Sequence, residues 1–434
     1  MLFGTSGLRR LVREKSKEQD DFTEQMIRDY KNELLSETSH SSKRGFIRSL
    51  VRLAKPYYWS QDNMKEKAVA WGLLATTLAL TYLQVTEVAV GFNDWNREVG
   101  DYIQESFDAA SRGTDALNEA WNGFMGHMTD LGILTGKLLG VGYANYKLGQ
   151  YAVLRWRKWM TEDYEKKYLD SQTYYHMQNK SSPLDNPDQR IQEDPAKVAD
   201  FAFDIVNDAF DAGMSLVTFS AILWGLSETV TIAGMDIPKF MFTAVMAYAA
   251  LGTAITYAAS KPIDRLTQRQ QEFEADYRSD LKELHEKREA IALNGAEDVQ
   301  KGVLRESFNR LYENSKKLIN INSSLLVLRV AYNRLAGAVP LAVSFPQVVA
   351  GKMQMGGIFQ VSGAFGEVKN ALSWYVNNAT KIRAGTAYMN RLIDIDDELT
   401  AVQLEQRERA EQSGEDIPLT EVPKPAAGTR KLGM

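Results

Sequence analysis

The sequence predicts an all-α, polytopic membrane protein with about six long transmembrane helices. Apolar residues gather into runs of about 20 or more, enough to cross a bilayer core. Basic residues fall unevenly around the first of these runs, and the polar segments between runs carry few helix breakers. The average composition hides the pattern, because 25% of the 434 residues are charged; what matters is that those charges are segregated along the chain. A net charge of −5 and the absence of cysteine exclude disulfides, thiolate metal sites and the basic surface of a nucleic-acid binder.

The chain opens with a polar segment, residues 1–45, in which Lys15–Leu35 has helical composition and no apolar signal-peptide core follows the charges. Ala68–Phe92 is the cleanest apolar run and carries one charge, Glu87. It is too long and too uniformly apolar to be one face of an amphipathic helix. Leu131–Leu154 is the second run, glycine-rich and holding only Lys137 and Lys147. Ala212–Met235, with Glu228, and Ile237–Ser260 follow, separated only by a very short turn at Gly234–Pro238. Two weaker runs complete the set: Leu325–Ala350, interrupted by Arg329 and Arg334, and Gly356–Ala379, with Glu367 and Lys369. Charges inside otherwise apolar spans argue for helices that face a water-filled cavity.

Orientation follows from the lysines and arginines. The stretch from Lys43 to Lys67 carries seven basic residues, whereas Asn93–Asp130 has Arg97 and Arg112 against eight acids. The positive-inside rule therefore puts the amino terminus in the cytoplasm and Asn93–Asp130 outside. Alternation then gives two long cytoplasmic excursions, Arg155 to about Asp211 and Lys261 to about Asn322, and a cytoplasmic carboxyl terminus. The second excursion is rich in helix formers and has no breaker before Asn294-Gly295, so spans two to five are expected to continue as helices well past the membrane. The organisation expected is a polar segment 1–45, a transmembrane domain 46–397 and a charged, disordered tail 398–434.

Specific stretches then become informative. "PYYWSQDNMKEKAVAWGLL", "GFNDWNREVGDYIQ", "LRWRKWMTEDYEKKYLDSQTYYHMQ", "NPDQRIQED", "EADYRSDLKELHEKREAIALNGAE" and "SGAFGEVKNALSWYVNNATKIRAGTAYMNRL" occur in that order. Together they resemble the membrane domain shared by the peroxisomal-type (ABCD) half-transporters and the SbmA/BacA peptide-uptake proteins. The resemblance implies the exporter-type ABC transmembrane fold, a homodimer in a bacterial inner membrane, and import of peptides, including peptide antibiotics, or other bulky hydrophilic solutes. No G-x-x-x-x-G-K-[S/T] loop exists in the sequence, and "GILTGKLL" has the wrong spacing, so this chain is expected neither to be an enzyme nor to need a cofactor. That feature is SbmA/BacA-like and implies proton drive; the alternative is the membrane subunit of a split ABC transporter whose ATPase is a separate chain.

Three groups of residues carry these expectations. Glu87, Glu228 and Glu367 are candidates for proton coupling, since carboxylates inside a span can titrate at physiological pH; a static ion pair with Arg329, Arg334 or Lys369 is the competing role. Asp94, Glu98 and Asp101 share a face if the first helix continues outward, and form a candidate entry for cationic substrates. The signature Asn186, Pro187, Asp188, Gln189, Arg190, Glu193 and Asp194 reads as a proline-started helix end that clamps its neighbours by ion pairs and caps, in a neighbourhood that faces the nucleotide-binding domain in ABC relatives. No catalytic set is present, and His40, His127, His176 and His285 have no metal-site spacing.

Overall fold

The protein is described by a computed structural model over residues 45–60, 63–110, 114–178, 186–227, 230–232 and 235–413. The helix expected at Lys15–Leu35 and residues 414–434 lie outside the described residues.

Helix α1 (Phe46–Lys55) leads through a π-helical turn, Pro56–Ser60, towards α2 (Met64–Leu83). The first apolar run does not stop at the predicted boundary. From α2 the chain passes through a π-helical stretch, Gln84–Ala89, directly into α3 (Val90–Ala110), so the acidic "external" residues extend the same rod. Helix α4 (Thr114–Leu169) starts well ahead of the second run and has 56 residues. At about 1.5 Å per residue it is roughly 84 Å long, nearly three times the ~30 Å of a bilayer core. A bilayer core could hold only about a third of that length. A 3₁₀ turn and α5 (Thr173–Gln178) follow, then α6 (Pro187–Leu226), α7 (Phe240–Glu286), α8 (Arg288–Asn294), α9 (Glu297–Val349), α10 (Met355–Leu372) and α11 (Trp374–Ser413).

The expected break at Asn294-Gly295 is present. Helix α8 ends at Asn294, and Gly295 takes φ 59°, the left-handed conformation that glycine adopts without a Cβ penalty. A second break at Lys287, between α7 and α8, has no proline or glycine to announce it.

Two expectations need revision. Gly234 of the turn expected at Gly234–Pro238 lies outside the described residues, and the residues flanking it form two antiparallel strands, β1 (Val230–Ile232) and β2 (Met235–Ile237), paired Val230↔Ile237 and Ile232↔Met235. The β-branched Val230, Thr231 and Ile232 favour strand over helix there. The tail does not begin at residue 398 either: α11 runs on to Ser413, because Leu399, Val402 and Leu404 are buried.

By length and composition three described helical stretches are apolar enough to cross a membrane, Met64–Phe107, Pro187–Leu226 and Glu297–Val349, and Phe240–Thr256 is a shorter apolar helix. The run with two arginines thus meets the measure, while the glycine- and tyrosine-rich α4 does not.

The chain divides into two compact units. The first takes the described parts of Met1–Leu80, Tyr143–Asp208 and Ala379–Met434; it buries Trp156, Met160, Val198 and Ile205 with Met389, Leu392, Ile393 and Leu399 of α11. The second takes Thr81–Gly142 and Ala209–Asn378, and its core joins Val85, Phe219, Leu223, Met241, Val245, Ala336 and Val361, Ala364, Phe365, Val368 of α10.

Candidate functional site

In the second unit the acidic face of α3 meets α10. Met355 and Gly356 stand in the first turn of α10, where backbone N–H groups lack helical partners. Gln104 Oε1 accepts from the Met355 N–H at 2.7 Å and Asp101 Oδ1 from the Gly356 N–H at 2.8 Å. Residues of α3 therefore cap α10, an arrangement that the positive end of a helix favours for Asp101. One and two turns on, Asn93 Nδ2 donates to the Gln360 carbonyl at 3.0 Å, and Gln360 Nε2 donates to Asp94 Oδ1 at 2.8 Å.

These bonds require close helix approach, which glycine provides. A Cβ on Gly100 would stand 2.6 Å from the Gly356 Cα, and one on Gly363 would stand 2.4 Å from Asn93 Nδ2. Of the three candidate entry acids, Asp94 and Asp101 are thus engaged in helix contacts. Glu98 lines a cavity of about 490 Å³ with Arg97, Asp101, Tyr102, Glu105, His127 and Gln354. Glu105 is an acid that the sequence reading passed over; its spacing of four residues from Asp101 on α3 was the available signal.

The three intramembrane glutamates have different settings. Glu87 lies in the π-helical stretch and is exposed, without an ion pair among the described residues. Such π turns inside α-helices are rare and concentrate at functional sites. Glu367 is half-buried on α10, near Asp211 of α6. Its candidate cationic partners are engaged elsewhere or point outward: Lys369 Nζ donates to Asn333 Oδ1 at 2.9 Å, and Arg329 and Arg334 are exposed. Glu228 lies outside the described residues.

The signature segment belongs to the first unit. Asn186 adopts φ 49°, Pro187 is the first residue of α6, and Asp188 lies in the first turn. Proline suits that position because its missing N–H would have no helical partner. Asp194 is fully buried and accepts a hydrogen bond from the Arg391 guanidinium of α11. Glu193 accepts from Lys197 at 2.6 Å and Gln189 at 3.3 Å. Asp188, Ile191 and Gln192 border a cavity of about 480 Å³ whose far wall is Arg157, Thr161 and Glu165 of α4. Arg190 is half-buried.

Helix α11 is the common partner of this unit, which the sequence did not announce. Arg52 pairs with Asp397, Ser49 donates to Asn390 at 2.8 Å, and Lys167 bridges Asp163 at 2.7 Å and Asp396 at 2.8 Å. Burial disfavours the Lys167 ammonium, but Asp396 and Asp163 outweigh it and hold its pKa above the ordinary lysine value. A raised pKa means that the contribution is fully present below the unfolded value of about 10.4 and is lost only as pH rises through the higher folded value. Lys167→Met is therefore expected to cost about 1–2 kcal/mol, by the same amount at pH 6 and pH 9. Thermal unfolding at both pH values checks this.

Apolar rods continuing far beyond a bilayer's thickness, knit at their polar ends by ion pairs, are the build of a transporter's membrane-spanning domain. The chain belongs to the ABC transporter transmembrane region 2 family, whose profile matches residues 65–349. Over 357 residues it is 29% identical to the inner membrane ABC transporter ATP-binding protein YddA of Escherichia coli K12, an alignment covering 81% of this chain and 60% of that protein. It is also 29% identical over 358 residues to the chloroplastic ABC transporter D family member 2 of Arabidopsis thaliana, covering 81% of this chain and 45% of the relative. The chain thus spans about half the length of these curated relatives.

Proposed function

We propose that this chain forms the translocation pathway of an inner-membrane transporter for peptides or other bulky hydrophilic solutes, and that an ATPase domain drives it from the cytoplasmic side. The carrying observation is the start of α6: the signature residues border an open cavity of about 480 Å³ against α4 and are tied through Asp194 to α11. A rigid, polar helix end of this kind suits the docking of a second domain. That both relatives are named as ABC transporters, YddA as an ATP-binding protein, favours ATP as the energy source. Since no phosphate-binding loop occurs in this sequence, hydrolysis falls to another domain or polypeptide.

The chain works as a homodimer with both termini cytoplasmic. Helix α9 supports the dimer, since it exposes Leu326, Val327, Val330, Leu335 and Phe345 beside Arg329 and Arg334; the distribution of lysine and arginine around the first apolar run supports the cytoplasmic termini. Arginines on an apolar face are costly against lipid and are accommodated against a partner around a wet cavity.

A second reading, proton-driven import of the SbmA/BacA kind, is favoured by Glu87 in its π-helical turn, with Glu228 and Glu367 as further coupling candidates and Asp94, Glu98 and Asp101 as the substrate entry. The two readings separate in one experiment: uptake of a labelled cationic peptide into cells with and without a protonophore. ATP drive predicts uptake that survives collapse of the proton gradient while ATP is maintained. Loss of uptake under those conditions rejects it and installs the proton reading. In that case Glu87→Gln is expected to reach the membrane yet lose at least tenfold in gradient-driven accumulation, an effect of about 1.4 kcal/mol or more.

A further inference from the structure

The crossing of α3 and α10 leaves two buried oxygen atoms without hydrogen-bond partners among the described residues. Asn93 and Gln360 are each 4% exposed, and each spends its amide nitrogen within the crossing, on the Gln360 carbonyl and on Asp94 Oδ1 respectively. Those bonds fix both amide orientations, because the reverse would set oxygen against oxygen. Asn93 Oδ1 and Gln360 Oε1 are consequently held as buried acceptors with no hydrogen-bond donor among the described residues. Leaving two such groups unsatisfied is expensive, and native interiors rarely do it.

We propose that this crossing is a binding site for a monovalent hard cation of sodium's size, held by Asn93 Oδ1, Gln360 Oε1 and the Asp94 carboxylate. The ligand chemistry is uniform: the two unpartnered amide atoms are oxygens and the Asp94 carboxylate beside them offers oxygen too, the class that hard cations select. Charge fixes the valence. Asp94 brings one negative charge to the amide pair, while of the other acids of this helix Asp101 is committed to the Gly356 N–H and Glu98 and Glu105 line the cavity beside Arg97 and His127. A divalent ion would leave an uncompensated charge among buried amides. Gly363 is a positioning residue, since any side chain there would push Asn93 out of place. The bound ion ties α3 to α10 and stands independently of what energises transport.

The test uses the purified full chain in detergent, with sodium chloride replacing choline chloride at constant ionic strength. Sodium is expected to raise Tm saturably, by about 2–4 °C, and ²²Na⁺ equilibrium binding is expected to saturate near one ion per chain. Gln360→Met keeps the side chain's length and removes its oxygen; it is expected to abolish the saturable rise whatever its Tm in choline. Asp94→Asn, at a half-buried position that tolerates an isostere, is expected to weaken half-saturation at least tenfold, and it decides the matter if Gln360→Met does not fold. The proposal is overturned if wild-type Tm shows no sodium-specific saturable response, which would assign the two oxygens to water, or if either folded variant keeps the wild-type response.

Discussion

Gly356→Ala is expected to destabilise the protein by about 3 kcal/mol or more and to remove most of the monodisperse peak on size exclusion. The added Cβ would stand 1.9 Å from the Arg97 carbonyl oxygen and 2.6 Å from Asp101 Oδ1. The first of these is backbone in the middle of α3, which no rotamer change can move. Relief requires the two helices to separate, and separation breaks the bonds of Asp101 and Gln104 to the α10 amino terminus, as well as those of Asn93 and Gln360 one turn further. Gly132→Ala is the control. Its Cβ would meet nothing within 4 Å, so no loss is expected there. Equal losses at both positions would show that helix flexibility, not the crossing, is what these glycines supply.

Arg391→Ala is expected to cost roughly 2–4 kcal/mol. Asp194 is fully buried, its Oδ1 accepts from Arg391, and its Oδ2 has no hydrogen-bond partner among the described residues. Without the guanidinium the buried carboxylate loses its hydrogen-bonded counterion and keeps only the weaker attraction of Lys197, which is costlier than having neither partner. Arg391 is itself 45% exposed, which places the expectation towards the lower end of that range. Asp194→Asn added to Arg391→Ala is expected to recover part of the loss, and the double-mutant cycle gives the coupling energy. If the double variant is no more stable than Arg391→Ala alone, the ion pair is not what ties α6 to α11.

The long helices were legible because helix formation depends on local composition and apolar runs are visible directly. The proline start of α6 and the break at Gly295 were legible for the same reason, each being a one-residue backbone effect. The antiparallel pair of Val230–Ile232 and Met235–Ile237 was not legible because the two strands are three residues each, too short for an alternation to stand out beside an apolar span. The helical course of residues 398–413 was missed because charge was read as disorder, whereas Leu399, Val402 and Leu404 supply a buried stripe between the charges.

The candidate sites divide in the same way. Residue chemistry placed carboxylates within apolar runs and polar residues at the α6 start, and that much is composition. Which of them meet is a different kind of information. Asp101 and Gly356 are 255 residues apart in sequence, and Arg391 and Asp194 are 197 apart. By itself the sequence determined the membrane-spanning class, the helical rods and the polar helix end at Asn186–Asp194. Only the tertiary structure decided that α3 caps α10, that glycines bring those helices to backbone contact, and that Asn93 and Gln360 keep free oxygens. The physical reason is range: helix propensity and hydropathy act over a few residues, whereas a cap, a crossing or a buried ion pair exists only once packing has brought distant segments together.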